Sequence, residues 1–333
     1  MLADLAAIVI AVGLTAYVVL GGADFGTGIW DVTASGEEMR ARIKRSMGPV
    51  WEANHVWLIF VLVMLWTAFP RAFGSITSTL ALPLFLAAVG IILRGGAFAL
   101  RGEAATMWEA GGFGAVFALS SLLVPFFLGA AVGGIASGRV PVGNAEGDAL
   151  TSWWNETGVL VGLIAIVTGA HIAAVFLGAD SHRAGQSELV RAFRLRALGS
   201  GVAAGALAIG GLFVVRSDAP DLYDGLTSGA GLACVIGSAA AGVITLALEW
   251  RSRFEPARYT AALAVGAIVA GYVLAQRPYL LPPDLTVQAA AAPDATLAAL
   301  LVSVAVGLLI LVPSLLWLFR LHLRGRLDTG SNT

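Results

Sequence analysis

The segment Gly21-Gly22-Ala23-Asp24-Phe25-Gly26-Thr27-Gly28 decides between two folds. As a glycine-rich turn it would open a dinucleotide-binding unit, which needs a β-strand before it and a helix after it. Here it follows an apolar run from about 3 to 23, so it ends a membrane helix. Gly22 and Gly26, four residues apart, then form a small-residue face for close helix contact. Asp24 becomes the informative residue. A carboxylate at helix-centre depth costs about 3 kcal/mol on insertion scales, less near an interface, and so has a partner or a functional duty.

The rest of the chain agrees with the membrane reading. Its 333 residues are 58% hydrophobic and only 12% charged, with a mean hydropathy of +0.85, whereas about a quarter of a soluble domain is charged. The 41 glycines suit helices that pack through small side chains, because lipid supplies no hydrophobic drive between them. Apolar runs near the roughly 20 residues that cross a hydrocarbon core fall at about 3–23, 52–69, 76–98, 112–136, 157–178, 197–215, 227–249, 259–275 and 297–319. The expectation is an all-α integral membrane protein of nine transmembrane helices in a single domain, 1–333, with no room for a soluble domain. The bilayer is its medium, and no nucleic acid is expected as a partner.

Basic residues set the orientation, since Lys and Arg in short loops stay in the cytoplasm. One set of alternate flanks carries Arg40–Arg45, Arg94, Arg101, Arg183–Arg196, Arg251–Arg258 and Arg320–Arg326. The other holds only Arg71, Arg139, Arg216 and Arg277 of the 20 basic residues. This predicts the N-terminus outside and the C-terminus in the cytoplasm. Met1–Ile10 lack the basic start of a signal peptide, so the first helix is expected to stay attached. The single cysteine, Cys234, excludes an intrachain disulfide or a CxxC site and reads as a small packing residue.

Leu177-Gly178-Ala179-Asp180 ends the fifth helix as Leu20-Gly21-Gly22-Ala23-Asp24 ends the first, and both helices run inward. This suggests a parallel repeat of four helices, 1–136 and 157–275, with an extra helix at 297–319.

Asp24, Glu52 and His55 all fall in the cytoplasmic third of the membrane. Glu52 and His55, three apart, share a helix face, and Asn54 adds a neutral donor and acceptor. Such a set can hold a hydrogen-bonded water file and so admit a proton without a bare charge. The plainer alternative is that Asp24 and Glu52 only pair with arginines and fix the helices. Arg94 and Arg101 are the candidate partners, or else anchor to headgroups. His171 could join this cluster, serve as a packing histidine, or bind a metal or haem. Most of the nine tryptophans lie near helix ends, as an aromatic belt requires; Trp51 and Trp57 could instead shape a subunit interface.

At these residues the chain resembles subunit II of the cytochrome bd-type quinol oxidases of bacteria and archaea. The resemblance rests on Gly22–Gly28, on Pro49-Val50-Trp51-Glu52-Ala53-Asn54-His55-Val56-Trp57, and on the segment with Arg94 and Arg101. The second stretch matches the family's Trp-Asp-Gly-Asn-Gln-Val-Trp pattern, with Glu52 for Asp, Ala53 for Gly and His55 for Gln. The resemblance implies a subunit without cofactors, built as two four-helix bundles plus one peripheral helix. It also implies a partner, subunit I, that carries haem b and haem d type groups and the quinol site, with a small accessory subunit as a further possible partner. The pair would oxidise quinol and reduce dioxygen to water in a prokaryotic plasma membrane, with Glu52 at the position associated with proton delivery. The competing reading is a proton-coupled secondary transporter, for which the helices show few Pro or Gly breaks with polar groups at the bilayer centre.

Overall fold

The computed structural model describes residues 1–47, 51–101 and 106–323, with the backbone alone at 47, 51–53, 107, 315, 319 and 321–323. It is a helical bundle. In chain order the helices are α1 (Leu2–Val32), α2 (Glu37–Met47), α3 (Trp51–Ala68), α4 (Pro70–Thr79), α5 (Ala81–Arg101), α6 (Met107–Ala136), α7 (Glu156–Arg183), α8 (Ser187–Asp218), α9 (Pro220–Thr227), α10 (Gly229–Trp250), α11 (Phe254–Gln276), α12 (Val287–Ala290) and α13 (Asp294–Leu323). Among the described residues, eight of them are long and apolar enough to cross a membrane: α1, α5, α6, α7, α8, α10, α11 and α13. The helix expected over 52–69 contributes a shorter apolar stretch, Asn54–Ala68, that leads into α4. The chain is thus a multi-pass membrane protein.

Two expectations are corrected. The first helix does not end near residue 23 but continues through the glycine segment to Val32. Glycine weakens a helix because it has the most backbone freedom to lose, yet here every glycine of the segment is packed, with Gly26 against Gly169 and Ala173 of α7 and Gly28 against Ser121 of α6. Tertiary contact overrides propensity. The second correction is a small antiparallel ribbon, β1 (Tyr279–Leu281) and β2 (Leu285–Thr286), pairing Tyr279 with Thr286 and Leu281 with Leu285. Its buried Leu281 and Leu285 join Phe69, Leu80, Trp153 and Leu297 in one apolar core.

Helix starts follow local chemistry. Thr106 and Glu109 open α6 with a reciprocal capping box, and the Asn155 side chain accepts from Gly158 N to cap α7, satisfying donors that have no intrahelical partner. A helix break recurs with near-identical geometry. Phe69 (φ −135, ψ 60) precedes Pro70 between α3 and α4, and Ala219 (φ −142, ψ 66) precedes Pro220 between α8 and α9, as proline disfavours the α conformation before it. Each short helix then leads into a helical hairpin, α5 with α6 and α10 with α11. α7 sits at the centre, touching α1, α6, α8 and α11.

Asp218 at the end of α8 accepts from Arg139, from Thr157 N at 3.0 Å and from Thr157 Oγ1 at 2.6 Å. It thereby ties the loop after α6 to the first turn of α7, and its hydrogen bond holds the Arg139 guanidinium above its ordinary pKa. Asp218→Asn should destabilise the protein by about 1.5–2 kcal/mol, the lower part of the range for charged hydrogen bonds, because the Arg139 side chain is 35% exposed. Thermal unfolding of the purified protein checks this.

Candidate functional site

Four helices converge on Asp24. The residue lies within α1, where it is 6% exposed, and its Oδ2 accepts from Asn54 Nδ2 of α3 at 2.6 Å. The same amide nitrogen lies 3.3 Å from the carbonyl of Leu20. From α5, Arg94 enters with 1% exposure and donates through Nη2 to the main-chain carbonyl of Asp24 at 2.6 Å. Its Nε donates to Ser121 Oγ of α6 at 3.1 Å, and that hydroxyl passes its own proton to the carbonyl of Phe117 at 2.7 Å. The guanidinium lies between the rings of Phe25 and Phe117, 5.0 and 4.7 Å from their centroids. Such stacking suits a planar, weakly hydrated cation.

The acid and the cation therefore meet through the main chain. Among the described residues the Asp24 carboxylate makes no ion pair within 4.0 Å; its donor is a neutral amide. Beyond Phe25, the ring of His55 stands edge-on at 5.7 Å, with Tyr17 at 6.2 Å. Trp57 packs beside Tyr17, Phe25 and Val124 and meets Phe60 edge-on at 6.0 Å. Glu52 and Trp51 start α3, but their side chains, like Pro49 and Val50, lie outside the described residues.

Arg101 differs from expectation. Among the described residues its partner is not Asp24 but Asp31, at 2.5 Å. The reason is the extra length of α1: Asp31 lies two turns beyond Asp24, as Arg101 lies two turns beyond Arg94, so the helix pair carries two acid–arginine tiers. Gly22 and Gly26 face α7, where Gly22 lies opposite the Cα of Gly169. Two tryptophans are tied into the protein by their indole N–H groups. Trp30 donates to the carbonyl of Ala170 on α7 at 2.7 Å, and Trp153 is buried and donates to Ala149 O at 2.9 Å. His171 is engaged by protein groups at both ring nitrogens: Nδ1 lies 3.0 Å from Ala197 O and Nε2 3.4 Å from Glu249 Oε1.

Ser121, Phe25 and Phe117 were not identified from sequence, and neutral residues in apolar helices carry no signal of such a role. Glu249 was also missed, because it closes an apolar run directly before Trp250 and Arg251 and so reads as an acid at the membrane surface.

A buried carboxyl–amide–guanidinium network inside a multi-pass helical bundle defines a membrane protein with a polar site kept from lipid. The family model for cytochrome bd terminal oxidase subunit II matches residues 2–322, and the chain belongs to that family. It is 25% identical over 325 residues to a putative cytochrome bd menaquinol oxidase subunit II of Bacillus subtilis (strain 168), covering 93% of this chain and 92% of that one. It is 31% identical over 127 residues, 38% of each chain, to the cytochrome bd ubiquinol oxidase subunit 2 of the same organism. The fold superposes on a chain of the bd oxidase structure from Geobacillus thermodenitrificans with a TM-score of 0.74 at 28% identity, covering 99% of both chains. The protein is thus a subunit of a bacterial respiratory oxidoreductase complex.

Proposed function

We propose that this chain is the haem-free subunit II of a quinol:dioxygen oxidoreductase, that it pairs with the haem-bearing subunit I, and that it admits protons from the cytoplasm through Glu52, Asp24 and His55. The observation that carries the proton reading is Asp24: a carboxyl with 6% exposure, hydrogen-bonded by Asn54 and making no ion pair among the described residues. An acid spent on helix pairing would meet the arginine beside it head-on; this one offers the arginine its main-chain carbonyl and keeps a carboxyl oxygen for a proton. Asn54 orients the group, and Arg94 fixes the α1 backbone beneath it. The haem b and haem d groups of the partner supply the electron transfer from quinol and the reduction of dioxygen to water. The position of His171, with Nδ1 3.0 Å from Ala197 O and Nε2 facing the buried Glu249 at 3.4 Å, supports a chain without a haem ligand of its own.

The architecture proposed with this function has nine spans, α3 with α4 counted as the second, arranged as two four-helix bundles with α13 peripheral. The N-terminus lies outside and the C-terminus in the cytoplasm, as the basic residues require. The matching proline breaks before α4 and α9 support a parallel repeat of 1–136 and 157–275. Family membership favours this function over proton-coupled secondary transport. A small accessory subunit is a further partner of the proposed complex.

Glu52→Gln and Asp24→Asn should each lower the oxygen consumption of the assembled oxidase by roughly tenfold or more, the scale of a lost proton-transfer group. Full activity in a normally assembled Glu52→Gln complex would remove the proton role from that residue.

A further inference from the structure

Glu249 lies in the last turn of α10 and is 0% exposed. Arginines crowd this end of the bundle, yet each is directed elsewhere. On α7, Arg183 pairs with Asp180 and, at 3.3 Å, with Glu255. On α8, Arg194 reaches Ser252 Oγ at 3.5 Å, while Arg196 donates to the carbonyl of Thr33 at 2.9 Å and lies over Trp30. On α11, Arg258 lies over Phe176, and Arg251 and Arg253 in the turn between α10 and α11 are exposed. The neighbouring polar pair, Thr245 and Thr260, is closed on itself at 2.7 Å.

Neither oxygen of Glu249 meets a donor in hydrogen-bonding geometry among the described residues; the ionisable group facing it is His171, whose Nε2 lies 3.4 Å from Oε1. The imidazole is fixed from its other side. Its Nδ1 lies 3.0 Å from the carbonyl of Ala197, an oxygen that only accepts, so Nδ1 carries the proton. A neutral ring in that tautomer leaves a lone pair on Nε2, the atom 3.4 Å from Glu249 Oε1. A carboxylate facing that lone pair would be repelled, and a bare carboxylate with no donor around it is the most costly group to bury. A proton between the two atoms removes both penalties at once.

We propose that His171 and Glu249 form a buried proton-binding site, in which one proton resides on Glu249 Oε1 and is donated to His171 Nε2, leaving the pair neutral at neutral pH. The step it can perform is exchange of that single proton along one axis, giving a carboxylate and an imidazolium when the proton crosses. No other group is consumed. The site lies on α7 and α10, apart from the Asp24 cluster on α1, α3, α5 and α6, and stands independently of the proton role proposed there.

The test uses the assembled oxidase and infrared spectroscopy in ordinary and heavy water. Glutamine is the neutral isostere of a protonated glutamate and can donate to Nε2 in its place. Glu249→Gln should therefore accumulate at the wild-type level and lose one protonated-carboxyl stretching band, a band that in His171→Gln shifts because its acceptor has changed. Loss of a carboxylate band instead would identify an ion pair with an imidazolium and overturn the proposal. Failure of Glu249→Gln to accumulate would also overturn it, since a neutral site accepts a neutral isostere.

Discussion

Arg94→Met is expected to strip the oxidase of most of its assembled subunit. The side chain is 1% exposed, donates to the Asp24 carbonyl and to Ser121, and is stacked by two phenyl rings. Methionine fills much of the volume but leaves Asp24 buried beside no cation, and Asp24 is the acid whose charge acts on Arg94. Each hydrogen bond from a charged donor is worth about 1.5–3 kcal/mol, so losing the two that Arg94 makes removes a large share of the 5–15 kcal/mol that holds a domain folded. Arg94→Lys should rescue little: an ammonium has neither the planar fork that reaches two acceptors nor the flat face the rings enclose. Asp24→Asn combined with Arg94→Met should recover part of the loss, because the lone charge is gone. Yield of assembled complex and its unfolding temperature read all three. Wild-type stability of Arg94→Met would mean that the network is ornamental.

The residues of this cluster differ in how plainly the sequence announces them. Asp24, Glu52, Asn54 and Arg94 are polar or charged within or beside apolar runs, and hydropathy alone exposes them because lipid makes each one costly. Ser121 and Phe117 are invisible by that measure, since a hydroxyl or a phenyl ring in a membrane helix costs little. The long helices were legible for the same reason. The end of α1 was not: glycine propensity suggests a stop near residue 23, and only the fit against α6 and α7 carries the helix to Val32. That error hid the Asp31–Arg101 pair, which exists only if α1 has two further turns. Glu249 sits directly before Trp250 and Arg251 and so reads as an acid at the membrane surface. Its burial goes with its approach to His171 of α7, a long-range contact with no local signature. The ribbon at 279–286 is likewise too short for a period-two pattern to declare.

The glycines of α1 should respond to substitution in a graded order that the spacing of a small-residue face does not give. A Cβ at Gly26 would meet the main-chain carbonyl of Gly169 and lie 2.6 Å from Ala173 Cβ. Backbone cannot rotate away, so Gly26→Ala must separate α1 from α7, and with them the bond from Trp30 to Ala170 O at 2.7 Å. In lipid, close packing is itself the force between helices, and overpacking a tight contact costs about 1–3 kcal/mol or more. Gly26→Val should therefore abolish accumulation of the chain in membranes, and Gly26→Ala should reduce it severalfold. Gly22→Ala should be far milder, since its Cβ would lie 3.6 Å from Gly169 Cα, an ordinary contact. Gly96→Ala on α5, with nothing within 4 Å of the added atom, should be neutral or stabilise the helix by up to about 1 kcal/mol. Equal effects at Gly22 and Gly26 would mean that α1 and α7 slide past one another freely. The expected inequality instead places the fixed point of the interface at Gly26, two residues from Asp24, so that the closest helix contact and the buried carboxyl are set by the same turn of α1.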